Sequence, residues 1–463
     1  MSPARAASLQ GLLVQARESW ALLGRHRAGI LWVAAGQLSA AVGSFGGIKL
    51  LTSTLRPAAY GELALGITLA GFGFLLGFGP LMSAHVRLFS ASQERGELAL
   101  HLHGFARFLR LACALVAGVA AVAAAVLWLR GSSHWARLVL LSALLATGNG
   151  VALFYASYST ALLRRGVVAG YQALDACLRP VLALFAIWLW GPGGWQALLG
   201  MAVATWISAA VQIAVVRRTE PLRTARKQAR PPRSAEGRLS RQALAYAGPL
   251  AASAAVTAVA LYADRWTLQS LLGSESVGVY AALNQVGGGP GGLVSTVITG
   301  FMMPVAFRRA GALRSRAQVR AGVRTLHLAA LASALSMGLF AAVCAAFGEP
   351  LLQLLSSGAY SVHHQLLWPV ALAAAALSVG QTLISTSLVV QRTGLTIIPW
   401  VVNASATAGL SLFLGRRYGL GGVVAALLAS NLAYAITAFW VARVLTLAAL
   451  RGLPETAPES EPA

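Results

Sequence analysis

The sequence predicts an all-α polytopic membrane protein, with about twelve transmembrane helices in two parallel six-helix lobes facing each other across a central cleft. Three observations carry that prediction. Of 463 residues, 57% are hydrophobic and 11% charged, with a mean hydropathy of +0.69, whereas a soluble domain is roughly half apolar and a quarter charged. Apolar runs of about 20 residues recur along the whole chain, each long enough to cross a ~30 Å hydrocarbon layer as a helix. Cations gather between alternate pairs of these runs, the bias that orients helical membrane proteins with basic segments in the cytoplasm.

Taken in order, the spans fall at 29–51, 61–84, 107–129, 138–162, 167–190, 195–216, 243–271, 278–305, 324–346, 365–390, 395–415 and 420–445. Four cations precede the first span, and only Arg56 separates it from the second. Four more, Arg87 to Arg110, stand before or in the first turn of the third, which Arg130 and Arg137 divide from the fourth. Arg164 and Arg165 precede the fifth, and nine cations from Arg217 to Arg241 follow the sixth. Six cations, Arg308 to Arg324, lie between the eighth and ninth spans. Arg392 precedes the eleventh span, Arg416 and Arg417 separate it from the twelfth, and Arg443 and Arg451 close the series. Counting cations at the span ends with the adjoining segments, one side thus holds 28 of the 36 Lys and Arg and the other side five, leaving Lys49, Arg179 and Arg265 within spans. Both termini are expected in the cytoplasm.

The flanking segments are also legible. Within 1–28, Leu9, Leu12, Leu13, Ala16, Trp20 and Leu23 share one helical face opposite Gln15, Arg17 and Glu18, which predicts a helix lying on the membrane surface. No removable signal peptide is expected there. Residues 217–242 hold a charge run and a Pro-Pro pair and read as a flexible basic linker between a first lobe at 29–216 and a second at 243–446. A cytoplasmic tail follows at 447–463. The net charge of +23 follows this topology and does not call for a nucleic-acid partner. Cys113, Cys177 and Cys344 lie in or beside apolar runs, so they read as small core residues and not as a disulfide framework. No metal-binding spacing occurs, and no cofactor is expected.

An internal repeat supports the two lobes. Residues 54–66, TLRPAAYGELALG, lie without gaps on 271–283, LLGSESVGVYAAL, so that Gly61 meets Gly278 between the first and second span of each half. A spacing of six spans is even, so the halves are parallel and related by an axis along the membrane normal.

These passages carry a family resemblance. The stretch KLLTSTLRPAAYGELALGITLAGFGFLLGFGPLMSAHVRLFSAS (49–92), with its Leu-x-Pro-x-x-Tyr-Gly loop, and YADRWTLQSLLGSESVGVYAALNQVGG (262–288) resemble the opening and the seventh-to-eighth helix passage of bacterial Wzx-type polysaccharide flippases. That resemblance implies membership of the multidrug/oligosaccharidyl-lipid/polysaccharide (MOP) exporter superfamily, whose two six-helix bundles form a V-shaped cleft.

Polar groups inside spans are the candidate site, because a charge at mid-bilayer costs about 2.5–3.5 kcal/mol on insertion scales and persists only against protein, water or a counter-charge. Asp175 and Arg179 are spaced i, i+4, on one helix face with Tyr171, where the ions can pair. Pro180 removes a backbone donor and is expected to bend that helix. Asp264 and Arg265 are adjacent, about 100° apart around a helix, so each needs another partner. In the repeat Lys49 falls beside the equivalent of Arg265, placing a cation at similar depth in both lobes. Lys49 and Glu62 also sit near the outer surface, where snorkelling explains them equally well. Arg179, Arg265, Lys49, Asn284 and Tyr171 are therefore expected to contact substrate, with Asp175, Asp264 and Glu62 for ion coupling or charge balance. Uncharged amides recur within spans as well, among them Asn149, Gln285, Asn403 and Asn431, as interhelical hydrogen bonds or contacts for sugar hydroxyls. The run GGGPGG (287–292) is expected to interrupt the eighth helix, as a hinge or a close-packing point.

Nothing in the sequence suggests an enzyme: the longest outer loop, 347–364, holds only Glu349, His363 and His364. The resemblance and the intramembrane cations together imply a flippase for a polyprenyl-pyrophosphate-linked oligosaccharide in lipopolysaccharide or exopolysaccharide biosynthesis. Its expected partners are that substrate, membrane lipids, and a polysaccharide polymerase or glycosyltransferases. Two other readings predict different behaviour. A multidrug/toxic-compound extrusion antiporter for organic cations would favour unpaired carboxylates, and a scaffold for polysaccharide-assembly enzymes would use the basic loops.

Overall fold

The computed structural model describes residues 27–162, 164–218, 233–311, 313–392 and 394–455. Every regular element among them is helical: α1 (Arg27–Thr54), α2 (Pro57–Gly77), α3 (Gly79–Glu94), α4 (Leu98–Leu129), α5 (Ser133–Ala161), α6 (Arg165–Trp190), α7 (Gly194–Arg217), α8 (Arg233–Ala310), α9 (Arg316–Leu355), a 3-10 helix (Gly358–Leu366), α10 (Leu367–Ile384), α11 (Thr386–Val389) and α12 (Ile397–Leu450). Nine helices among the described residues are long and apolar enough to cross a membrane, and the chain is an all-α polytopic membrane protein. Its lipid-facing character is direct: Leu115, Val119, Val122 and Leu129 on α4 and Trp188 on α6 lie more than half exposed, where a soluble protein would bury such a surface.

Two of the long helices are pairs of spans. The ladder of α8 breaks at Gly273 (φ 81°, ψ 179°) and that of α12 at Gly419 (φ 60°, ψ −138°), backbone conformations open to glycine because it has no Cβ. The chain reverses at both. Tyr280 reaches back to hydrogen-bond Asp264, and a Cβ on Gly422 would stand 2.0 Å from the Leu414 carbonyl oxygen. The first arm of α8 is thus 233–272 and the second 274–310. In contrast, Pro290 and the surrounding glycines do not interrupt the second arm. Gly287 and Gly289 there allow close approach: an added Cβ would meet the Leu367 carbonyl at 3.2 Å and the Phe45 ring at 3.5 Å.

The repeat is written into the packing of α2 on the second arm of α8. A Cβ on Gly61 would lie 1.8 Å from the Ser274 carbonyl oxygen, and one on Gly278 would lie 1.9 Å from that of Pro57. The offset of 217 residues that matches Gly61 to Gly278 also matches Pro57 to Ser274, so the two close approaches are mates across the pseudo-two-fold axis. The same offset pairs Arg56, the extended residue that opens α2, with Gly273.

Elsewhere the halves differ. α1 packs along α6 over its length, with Gly36 against Ala169, Gly43 against Ala176 and Gly47 against Pro180. At Gly43 the neighbour is the Ala176 carbonyl, 2.6 Å from an added Cβ, which is the group that Pro180 leaves without its helical donor. The first arm of α8 meets the second half near its end, where Leu271 contacts Gly415 and Asp264 accepts from Tyr280. Its beginning crosses to the first half. Leu239 and Ala243 join the cluster of Phe78, Met82, Leu100 and Phe105, Leu239 fills the space over Gly104, and Arg238 pairs with Glu97 at 2.6 Å. Of the expected linker, 219–232 lies outside the described residues, and 233–242 is helical.

Helices also run past the apolar segments: α4 begins at Leu98 instead of 107 and α9 at Arg316 instead of 324, since polar side chains let the helical ladder continue in water. The amphipathic helix expected within 1–28 lies outside the described residues apart from its last two. In the tail, the Pro454 and Glu455 carbonyls accept from the Arg316 and Ala317 amides at 2.8 and 3.2 Å, satisfying donors that the start of α9 cannot use internally.

Candidate functional site

A cleft of about 550 Å³ opens between the halves, within the range of about 300–1,000 Å³ usual for small-molecule sites. The first half lines it from α1, α2, α5, α6 and α7, and the second from both arms of α8. The cleft is closed at the end that carries the α1–α2 turn. There, besides the Gly61–Gly278 contact, the Tyr360 hydroxyl donates to the Leu55 carbonyl at 2.9 Å, and the Tyr60 and Tyr360 rings meet edge to face at 5.7 Å. In the other direction the cleft continues into a chamber of about 350 Å³ between α2, α5 and α6.

Arg179 stands where the two volumes join and lines both. Its Nη2 donates to Asp175 Oδ2 at 2.9 Å and to Asn149 Oδ1 at 2.7 Å. The i, i+4 spacing on α6 supplies the first contact and α5 the second, so the guanidinium is held from two helices. Tyr171, one turn before Asp175, lines both volumes as well.

Arg265 enters from the opposite half. Thr68 on α2 gives its hydroxyl proton to the Ala64 carbonyl at 2.8 Å and so presents a lone pair, which accepts from Arg265 Nη1 at 3.1 Å. The guanidinium also lies over the Tyr262 ring, 5.8 Å from its centroid, a favourable cation–π placement. Tyr262 reaches this position because Gly71 leaves room: a Cβ there would stand 2.3 Å from the Tyr262 hydroxyl. Two arginines, one from each half, therefore line one cleft whose carboxylate, Asp175, is already paired. The net charge of these three groups is positive.

The other expected site residues stand outside the cleft lining. Asp264 is buried, accepting from the Tyr280 hydroxyl and, at 2.7 Å, from the Arg265 amide. It ties the two arms of α8 together, and the adjacent Arg265 points the other way, as a 100° step requires. Asn284 sits one turn beyond Tyr280, and the lining residues of that arm are Ala281 and Gln285. Lys49 donates to the Gln353 and Ser356 carbonyls, both at 2.6 Å; the carbonyls at the end of α9 lack helical donors and attract a cation. Glu62 lies 3.1 Å from His134 Nε2 at the closed end.

The substrate contacts expected from the sequence omit four polar residues that line the cleft: Asn149, Gln172, Thr68 and Gln285. Asn149 and Gln285 stood out only as two of several amides within spans. Gln172 carries a readable signal, since it lies three residues before Asp175 on the same turn. Thr68 carries none, being a lone hydroxyl in an apolar span. Among the described residues no group of three or more His, Cys, Asp or Glu is placed to hold a metal ion.

Comparison with known proteins places this geometry. The fold is similar to a solved lipid II flippase, MurJ, in an inward closed conformation, with TM-score 0.65, 13% identity, and 91% of this chain and 90% of that chain covered. It is similar to a MATE-family multidrug resistance transporter of the MOP superfamily in an inward-facing conformation, with TM-score 0.61, 16% identity, and 92% and 99% covered. It is also similar to a point mutant of the Vibrio cholerae MATE transporter VcmN, with TM-score 0.57, 18% identity, and 93% and 97% covered. At these identities the likeness establishes the fold alone. A search of curated proteins finds no match. The model of the family described as "Polysaccharide biosynthesis protein" matches residues 27–309, more than half of the chain, and the protein belongs to that family, on the fold of the MOP-superfamily exporters.

Proposed function

We propose that the protein is a flippase that carries a polyprenyl-pyrophosphate-linked oligosaccharide from the inner to the outer leaflet of a bacterial inner membrane. One observation carries the reading: Arg179 and Arg265, supplied by opposite halves, share one cleft. A pyrophosphate must leave its water and counter-ions to pass through hydrocarbon, and guanidinium groups replace both with charge-assisted, two-pronged hydrogen bonds. The lipid tail stays in the bilayer while the headgroup crosses. Asp175 balances Arg179 in the unloaded state and is the group for ion coupling.

Orientation follows from the cation bias, which puts the closed α1–α2 end outside and the chamber inside. The described conformation is then a loading state, sealed outward. The fold is shared with multidrug resistance MATE transporters, but extrusion of organic cations calls for free carboxylates in the cleft, and here Asp175 is held by arginine.

The test is translocation of a glycosylated polyprenyl pyrophosphate in proteoliposomes by Arg179→Ala and Arg265→Ala variants with unchanged melting temperatures. Each lost charged hydrogen-bond partner is worth about 1.5–3 kcal/mol, so each variant should be slower by about ten- to a hundredfold. Wild-type rates in both variants would reject the cationic cleft. Drug resistance conferred on a sensitive host, with no lipid translocation, would favour the antiporter.

A further inference from the structure

The two volumes beside Arg179 differ in chemistry. On the cleft side Arg265 adds a second cation. On the chamber side Arg179 and Asp175 cancel, and the remaining polar groups are uncharged: Asn149, Tyr171 and Gln172. Charge thus runs from net positive in the cleft to neutral in the chamber, over a boundary set by one ion pair.

The chamber's amides are also unspent. Asp175 Oδ2 is held by Arg179, and its other oxygen is buried out of reach of the chamber, so the chamber meets this side chain as a paired, neutralised group. The Asn149 carbonyl oxygen is used by Arg179, leaving its amide to donate, and Gln172 carries both a donor and an acceptor. Flat or apolar surfaces complete the lining: the Tyr171 ring and the Val168 side chain beside these groups on α6, and the Phe74 ring from α2. Two amides and aromatic faces around a neutral, half-open space of about 350 Å³ suit a ligand with several hydroxyls and a CH face.

We infer that this chamber is a saccharide subsite, which receives the first sugar of the lipid-linked substrate while the pyrophosphate lies between Arg179 and Arg265. This rests on the function proposed above and extends it: the glycan next to the phosphate is read by the protein, chiefly through Gln172 and the Asn149 amide. A free sugar gains little here, because the subsite is completed only when the attached phosphate anchors it.

The experiment measures binding of two soluble probes to detergent-solubilised protein by calorimetry: farnesyl pyrophosphate, and the same molecule bearing one N-acetylglucosamine. Wild type should bind the glycosylated probe about five- to tenfold more tightly, the return expected from one or two neutral hydrogen bonds. Ala156→Phe, at a residue that lines the chamber and not the cleft, should remove that difference while its affinity for farnesyl pyrophosphate stays within about twofold. Val168→Phe, which fills the chamber from α6, should do the same, so a folding failure in either variant leaves the other to decide. Equal binding of the two probes by wild type, or variants that lose both probes in parallel, overturns the saccharide subsite and leaves the flippase standing. Failure of wild type to bind either probe removes the flippase and the subsite together.

Discussion

Replacing Gly61 by alanine puts a methyl group where the structure has no room for one. The added Cβ would stand 1.8 Å from the Ser274 carbonyl oxygen and 2.9 Å from the Gly278 nitrogen. A carbon and a carbonyl oxygen in contact sit about 3.3 Å apart, so the helices must separate by about 1.5 Å at that point. Both obstructing atoms are backbone, and no rotamer change relieves them. Overpacking of this kind costs about 1–3 kcal/mol, and the cost falls only on the form in which α2 and the second arm of α8 touch. If the two halves rock, the open form gains about five- to 150-fold in population. Spin labels at the exposed Thr54 and Ser270 positions, read by pulsed dipolar spectroscopy, should show a longer distance growing in Gly61→Ala, and again in its symmetry mate Gly278→Ala. Gly118→Ala on α4, where a Cβ meets nothing within 4 Å, should leave the distances unchanged and stabilise the helix by about 1 kcal/mol. Distances in Gly61→Ala identical to wild type, in a folded protein, would refute the argument that this contact seals the cleft.

Three further predictions follow from the same packing. Lys49→Met keeps the length of the side chain but removes two hydrogen bonds to the end of α9, so the same spin-label pair should report weaker closure, by about 1–2 kcal/mol; unchanged closure would reduce the lysine to an ornament of the surface. Tyr280→Phe strands a buried Asp264 oxygen and should lower stability by about 1–3 kcal/mol, measured as melting in detergent, with partial recovery when Asp264→Asn is added; absence of recovery would disprove the pairing. His85 is buried beside His101, and burial, followed by the charge on that neighbour, lowers its pKa from 6.5 to about 3. The unfolded chain therefore takes up a proton below about pH 6.5 that the folded protein refuses, and stability should fall by about 1.4 kcal/mol per unit as the pH drops from there. Burial also lowers the pKa of His101, to about 4, and adds a like slope, so His85→Phe should remove about half of the total, and equal slopes in variant and wild type would refute the assignment.

How much of this was legible depended on whether the information was local. The span pattern, the Gly61–Gly278 repeat and the Asp175–Arg179 face were readable, since hydropathy, ungapped alignment and helical spacing act over a few residues. The span ends were not, because α4 and α9 continue into water on polar residues that hydropathy scores as loop. Lys49 was misread for a different reason: its partners lie more than 300 residues away, at the end of a helix whose position no local rule gives. Asn284 and Gln285 illustrate the finest limit. Both are amides in one turn, and which of them faces the cleft depends on a rotation of the second α8 arm that is set by the Asp264–Tyr280 bond. Gly273 and Gly419 were placed between spans correctly, but their left-handed geometry is a property of the folded chain.

The crossing of the first arm of α8 onto the opposite half has a practical corollary. A protease cut, or a deliberate gene split, anywhere in 219–232 would not yield two free-standing pieces, because the downstream fragment begins with a ready-made plug: Leu239 over Gly104, and Arg238 on Glu97. Co-expressed fragments have a built-in dock for reassembly in the bilayer, whereas the upstream fragment made by itself would display a bare greasy socket and invite clumping.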